Sequence, residues 1–250
     1  MLIIDAMYES YRCYYAYSRI VGAKNALFFG FIRTMFSLQD FMGEKPVIVW
    51  EGKSKRKEEN ENYKANRKTM DAHFYEQLDD VRAFCSHYFD QVKAIGFEAD
   101  DVMATLAHAN KKAVIVTSDM DLWQCITDKI IIYNDRQKMY VTKKEVVERF
   151  NLEPEQLLIY KAIKGDGSDN IKGVKCKIEM SAYKGKHFPS DKHIKDECKR
   201  LKTPELIPNM SILRLRKVPD ASIEKVKKHG IPIKLIEKYK CNSFRRYVNA

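Results

Sequence analysis

Five acids fall within residues 97–121: Glu98, Asp100 and Asp101 ahead of a helix-like stretch, and Asp119 and Asp121 just after the apolar run Ala113-Val-Ile-Val116. An apolar run of that length between turn signals predicts a buried parallel strand, and ligands of open α/β sheets gather beyond the carboxyl ends of such strands. Acids also collect at helix N-termini because the macrodipole favours them, by roughly 0.3 to 1 kcal/mol each, and that accounts for the first three on its own. It does not account for Asp119 and Asp121, whose like charges repel unless cations neutralise them. Magnesium suits the need, since it takes hard oxygen ligands, keeps several waters and uses few carboxylates per ion.

The arrangement recurs along the chain. Leu2-Ile3-Ile4 ends at Asp5, Pro46-Val-Ile-Val-Trp50 ends at Glu51, and the loop Lys164-Gly-Asp166-Gly-Ser-Asp169-Asn170 adds two more acids. One acid after a strand is ordinary turn chemistry, and a loop with two glycines and two acids is by itself a plain turn. Repetition at three strand ends favours a site. Asp5, Glu51, Glu98, Asp100, Asp101, Asp119, Asp121, Asp166 and Asp169 together offer a dense carboxylate cradle. Hydrolysing a phosphodiester requires neutralised charge on the phosphate and hydroxide near neutral pH. Two metal ions about 3.5 to 4 Å apart supply both without a His or Ser nucleophile. No Ser-His-Asp pattern competes with that reading.

The elements that must hold these acids alternate between strand and helix. Strands are predicted at residues 2–4, 46–50, 91–95, 113–116 and 130–133, with 139–141 as a hairpin partner. Helices are predicted at 23–41, 71–89, 143–150 and 155–163, from Glu98 onward, and, shorter, at 122–127. That alternation predicts an α/β fold with a mainly parallel central sheet flanked by helices. Further on, Asp220 and Gly230 mark the ends of an expected helix through Ile223, Val226 and Lys228. Residues 53–68 differ in character: Lys53, Lys55, Arg56, Lys57, Lys64, Arg67 and Lys68 surround three glutamates and three asparagines. A solvated loop is the default for such a stretch. The sharper alternative is a basic strap whose cations and Tyr63 contact a phosphate backbone or stack on a base.

Composition narrows the classes. With 45% hydrophobic and 32% charged residues the chain reads as a soluble globular protein, and its longest apolar run, residues 26–32, is far short of the roughly 20 residues of a membrane span. No signal peptide is recognised at the N-terminus, so a cytoplasmic location is expected, that of the host if the chain is phage-encoded. Six scattered cysteines without a Cys-x-x-Cys pair suit a reducing compartment rather than a disulfide framework or zinc site. The net charge of +11 is uneven: residues 161–250 hold 23 Lys/Arg against 10 Asp/Glu, and residues 1–160 hold 22 against 24. An acid-rich part suited to metals is joined to a basic part suited to phosphates.

Six segments in this order resemble the motifs of the 5′ nuclease family: Leu-Ile-Ile-Asp5; Trp-Glu51-Gly-Lys; Arg56 with Tyr63-Lys64-Ala-Asn-Arg67; Glu98-Ala-Asp-Asp-Val; Val-Thr-Ser-Asp119-Met-Asp121; and Lys-Gly-Asp166-Gly-Ser-Asp169-Asn-Ile-Lys-Gly-Val. That family includes flap endonucleases, the 5′ nuclease domain of bacterial DNA polymerase I, and the phage exonuclease and ribonuclease H enzymes, which this chain is most similar to in length. The resemblance covers roughly residues 1–175. It implies a PIN-like nuclease core over residues 1–165 with a helical arch at 52–70. Residues 166–250 would form a helical, basic DNA-binding region with a degenerate helix-three-turn-helix element.

Carried over by position, the resemblance places Asp5, Glu51, Glu98, Asp100 and Asp101 at a first metal and its shell, and Asp119, Asp121, Asp166 and Asp169 at a second. Arg56, Lys64 and Arg67 become catalytic arch cations, with Lys53, Lys55, Tyr63, Lys172, Lys175, Lys177, Lys184 and Lys186 as nucleic-acid contacts. It implies two Mg2+ ions, replaceable by Mn2+, and 5′-to-3′ exonuclease or flap endonuclease action on DNA or RNA-DNA hybrids in phage replication or primer removal. A monomer with a single-strand-binding or clamp protein as partner is expected. Two positions depart from the family pattern. Glu51 stands where most members have Asp, and the duplex-binding Gly-Val-x-Gly-Ile-Gly-x-Lys-Thr-Ala is here Gly173-Val174-Lys175 followed by Cys-Lys-Ile-Glu-Met-Ser-Ala182. Glycines that let backbone amides approach a phosphate are lost there. A haloacid-dehalogenase-type phosphatase is the alternative enzyme, although Asp5-Ala6-Met7 lacks its second Asp. An inactive branched-DNA-binding protein is the alternative from another class.

Overall fold

In the computed structural model, which describes residues 1–66, 69–174, 191–200, 202–203, 206–227 and 232–248, seven strands form one sheet. They are β1 (Leu2–Asp5), β2 (Pro46–Val49), β3 (Asp90–Ala94), β4 (Ala113–Val116), β5 (Ile130–Asn134), β6 (Met139–Val141) and, beyond a small hairpin of β7 (Gly165–Asp166) and β8 (Ile171–Lys172), β9 (Ile223–Lys225). Their spatial order is β6-β5-β4-β1-β2-β3-β9. The five inner strands run parallel, with Ile4 opposite both Ile48 and Val116, while β6 and β9 pair antiparallel at the two edges. From β1 the chain steps to β2 and β3 on one side, then crosses back to β4 and β5 on the other. The strand order therefore reverses between β1 and β4, and the crevice at their carboxyl ends is where such sheets bind ligands.

Side chains alternate across each strand and build two cores. Leu2, Ile4, Ile48, Trp50 and Val116 face α1 (Ala6–Val21), α2 (Ala23–Met42) and, beyond the single turn α3 (Arg56–Glu59), α4 (Ala72–Cys85). Ile3, Val49, Val92, Ile115 and Ile132 face α5 (Ala99–His108), the 3-10 turn Met120–Cys125 and α6 (Lys143–Phe150). A third, smaller core joins Tyr63 to Leu158, Ile159 and Ala162 of α7 (Leu157–Lys164), to Cys198 of α8 (Asp191–Arg200), and to Leu206, Met210 and Leu213 of α9 (Leu206–Leu213). The short α10 (Pro232–Lys238) and α11 (Arg245–Val248) return to the first core, where Tyr239 stacks on Phe28 with centroids 4.2 Å apart. Among the described residues no helix is long and apolar enough to cross a membrane.

The α/β class and its mainly parallel sheet are as expected from the alternation. Two elements differ. Residues 6–21, left without an assignment by periodicity, form a four-turn helix capped by Asp5, whose carboxylate accepts the Tyr8 N–H at 3.0 Å. Residues 223–225, expected in a helix, are β9; Lys228 and Gly230 lie outside the described residues. The strand wins because the edge of β3 offers unpaired backbone groups, and Val92, Lys93 and Ala94 take up Lys225, Glu224 and Ile223.

Candidate metal and active site

The strand-end acids meet at the carboxyl edge of the sheet. Asp5 closes β1 and is buried; its second oxygen accepts the Thr117 hydroxyl at 2.9 Å, and Thr117 in turn receives the Asp119 N–H at 3.1 Å. Asp119 caps the following turn by accepting the Asp121 N–H at 2.8 Å. Glu51 leaves β2 through Gly52, where a Cβ would lie 1.9 Å from the Ala94 carbonyl oxygen, so the chain passes close against β3 only because no side chain is present. Asp100 projects from the first turn of α5. Glu98 and Asp101 form a reciprocal capping box there, and the N-terminal dipole adds to the attraction for negative charge.

These acids feel one another. Burial raises Asp5 to about 6, with Asp119 adding repulsion against the opposing Tyr8 and Thr117 hydrogen bonds. Glu51 is raised to about 7, first by the loss of water around its carboxyl, then by Glu98 and Asp5, with Lys64 opposing. Asp100 rises well above the usual carboxylate range through burial and the charges of Asp119, Asp5 and Glu51. Asp119 is raised by burial and by Asp169, against the pull of Lys161. Asp5, Glu51, Asp100 and Asp119 are thus a crowd of like charges with insufficient protein cation to settle it.

A second group lies beside it. One carboxylate oxygen each of Asp121, Asp166 and Asp169 lie within 4.8 Å of one another. The β7–β8 turn presents the last two, and Asp166 accepts the Ser168 N–H at 2.9 Å and its hydroxyl at 2.6 Å. The Lys161 ammonium, from α7, contacts Asp121 and lies 2.8 Å from Asp166. Burial opposes ionisation of Asp166, but its bonds to Lys161 and Ser168 outweigh that and hold it at about 2. Hard oxygen donors on two adjoining groups, one of them pushed toward protonation by burial and then by its own crowding, fit divalent cations such as magnesium.

Two of the nine acids are committed elsewhere. Arg56, only 3% exposed, uses all five of its N–H donors: Nε to the Ile212 carbonyl at 3.0 Å, Nη1 to Glu98 at 2.8 Å and Asp101 at 2.7 Å, and Nη2 to Asp101 at 2.7 Å and the Arg214 carbonyl at 2.9 Å. Asp101, fully buried, also accepts the Arg216 N–H at 2.7 Å. Arg56 is therefore a buried tie between strap, α5 and residues 212–216, and not a cation presented to a phosphate. Tyr63 is buried too, donating to Glu98 at 3.0 Å rather than lying open for a base.

Lys64 stays at the acids, 2.9 Å from Glu98, with its own N–H on the Asp169 carbonyl at 3.1 Å and a left-handed φ of 56°. Lys53, Lys55 and Lys172 are exposed. Arg67, Lys175, Lys177, Lys184 and Lys186 lie outside the described residues. Lys161 escaped the sequence reading because its partners stand 40 residues upstream and five downstream; a lysine in the last turn before an acidic Gly loop was the available signal.

Residues 1–151 match the family described as 5'-3' exonuclease, N-terminal resolvase-like domain. A thermostable DNA polymerase I of Thermus thermophilus is 32% identical over 194 residues, covering 74% of this chain and 23% of its own length, so the chain spans about a quarter of that relative. A 5'-3' exonuclease of Buchnera aphidicola is 24% identical over 216 residues, covering 81% of this chain and 75% of its own. Among solved structures, the T5 5'-exonuclease with zinc bound shares the fold at a TM-score of 0.70 and 20% identity over 98% of both chains. The catalytic core of Rad2 in complex with DNA substrate shares it at 0.56 and 17%, covering 96% of this chain and 86% of its own. From a family match over more than half its residues, this chain belongs to the 5'-3' exonucleases.

Proposed function

We propose that this chain hydrolyses phosphodiesters at the 5′ ends, nicks and flaps of DNA, and of RNA in RNA-DNA hybrids, with magnesium as the working ion and manganese as a substitute. The observation that carries the reading is the convergence of seven carboxylates from five separate segments on the β1–β4 crevice, two of which, Asp5 and Glu51, are raised to about 6 and 7. Asp5, Glu51, Asp100 and Asp119 would hold one ion, and Asp121, Asp166 and Asp169 a second. Bound there, such ions supply charge neutralisation for the phosphate and a more acidic attacking water.

The remaining chemistry belongs to the chain. Asp5, Glu51, Asp100 and Asp119 would give up protons as the site loads. Glu98 keeps Lys64 at the mouth of the crevice, where the ammonium can neutralise the non-bridging oxygens of a scissile phosphate. Arg56 and Asp101 position α5 from behind. Lys161 holds the second carboxylate group together against its own repulsion. The basic residues of 161–250 would grip the duplex through its phosphates. A role in primer or flap removal during replication, a phage one included, would follow from that activity, carried out by a monomer that meets a clamp or single-strand-binding protein.

The test is magnesium-dependent release of nucleotides from a 5′-labelled duplex with and without a flap. Asp119→Asn and Asp121→Asn are expected to lower cleavage by about 1,000-fold or more while DNA binding persists. Full activity of both variants in magnesium would sink the proposal, and binding without any cleavage by the unaltered chain would favour a DNA-holding protein instead.

A further inference from the structure

α1 begins at the acidic edge with Asp5 and carries Tyr11 and Tyr15 outward on one face. Residue 15 lies about 15 Å along the helix from Asp5 at about 1.5 Å per residue. Tyr11 is 37% exposed and Tyr15 65%, and Tyr75 on the neighbouring α4 is 44% exposed. These rings are held by buried partners. Tyr11 stacks on Phe74 with centroids 5.1 Å apart and planes 11° from parallel, Tyr15 packs edge-on against Tyr14 at 5.8 Å, and Tyr75 edge-on against Phe74 at 5.5 Å. Phe74 is fully buried and Tyr14 nearly so, so the outward tyrosines sit on a fixed base.

The strap connects this surface to the acids. Lys64 lies at Glu98, and six residues later Met70 sits between the two exposed rings, its sulfur accepting the Tyr15 hydroxyl at 3.4 Å and its N–H reaching the Tyr75 oxygen at 3.4 Å. Arg19 is exposed one turn beyond Tyr15, and His73 is exposed next to Phe74. The nearest acid, Asp71, is already occupied by the Tyr14 hydroxyl at 2.6 Å and the Phe74 N–H at 2.9 Å. Glu76 is drawn to Lys238 at 2.8 Å. Three anchored aromatic faces with a cation at the far end are the chemistry that takes up successive bases of a single strand irrespective of sequence.

Resting on the nuclease reading, we propose that Tyr15 and Tyr75, with Met70 between them, form a stacking platform for the unpaired 5′ strand beyond the scissile phosphate. At about 3.4 Å per stacked nucleotide, a strand with one phosphate at the carboxylates reaches Tyr15 within about five nucleotides. Tyr11 carries the strand onto the platform. The occupant is single-stranded DNA or RNA and not a protein partner, since α1 rises from Asp5 at the acidic edge and Met70, six residues after Lys64, meets the two rings.

The experiment measures binding, in calcium, of duplexes bearing 5′ tails of zero, two, five and ten nucleotides to the full chain and to a Tyr15→Ala/Tyr75→Ala variant of unchanged melting temperature. For the unaltered chain, affinity should rise with tail length and level off near five nucleotides. The double variant should lose that rise, about tenfold or more at the five-nucleotide tail, and should match the unaltered chain on the tail-free duplex. Tyr15→Phe/Tyr75→Phe, which keeps the faces and removes the hydroxyls, should restore the rise. A double alanine variant with an undiminished tail dependence, or an unaltered chain with none, overturns the platform. Tail-dependent binding without cleavage in magnesium would instead remove the nuclease reading and leave the platform standing.

Discussion

Arg56 shows how far a residue's role depends on what surrounds it. Its position after a strand-end acid in a basic stretch suggested a phosphate contact, and Lys53 and Lys55 nearby do stand exposed. Yet the guanidinium is sealed between Glu98 and Asp101 with two carbonyls completing its donors. Removing one member of a buried pair leaves the other charges uncompensated, so Arg56→Gln is expected to cost about 3 to 5 kcal/mol of stability, read from urea unfolding. A surface phosphate contact would cost almost nothing in that assay. The strand-end carboxylates were legible because an apolar run followed by an acid is a local signal. The ties of Arg56 and Tyr63 to Glu98 and of Lys161 to Asp121 were not, since they are made across 35 residues or more, and no local pattern encodes contacts at that separation.

The elements carry the site's electrostatics. Asp5 at the end of β1 and Glu51 just past β2 hold their protons to about 6 and 7, whereas in an unfolded chain they lose them near 4. Between about pH 4 and 7 the folded state therefore binds more protons than the unfolded one, and stability in the absence of metal falls as pH rises through that window. Denaturation midpoints in a chelator should be higher at pH 5 than at pH 8, and Asp5→Asn should flatten the slope. Loading with magnesium requires those protons to leave, so its apparent affinity should climb over the same interval.

The sheet that sets these positions was readable from runs such as Ala113–Val116. α1 was not, because the five tyrosines of Ala6–Val21 lie all around the helix and blur its apolar period, leaving the Asp5 cap as the one local helix signal. β9 was missed for the opposite reason. Ile223–Lys225 has no strand pattern of its own and takes its form from the edge of β3.

Across the whole molecule, the positive charge is concentrated in residues 161–250. If the +13 of residues 161–250 is spent on duplex phosphates, binding should weaken with a log–log salt slope of roughly −0.9 per phosphate neutralised, at least about 100-fold between 50 and 200 mM salt for four or more contacts. A flat dependence, measured by anisotropy on a tail-free duplex, would place the grip elsewhere.

The fold also has a temporal side. β3 is completed by residues 223–225, and α5 is tethered through Arg56 and Asp101 to residues 212–216. A ribosome must therefore release the chain through residue 225 before the acidic edge can be locked in place. A nascent chain that stops short of residue 212 lacks both fasteners, so its carboxylates cannot yet be fixed in register with one another.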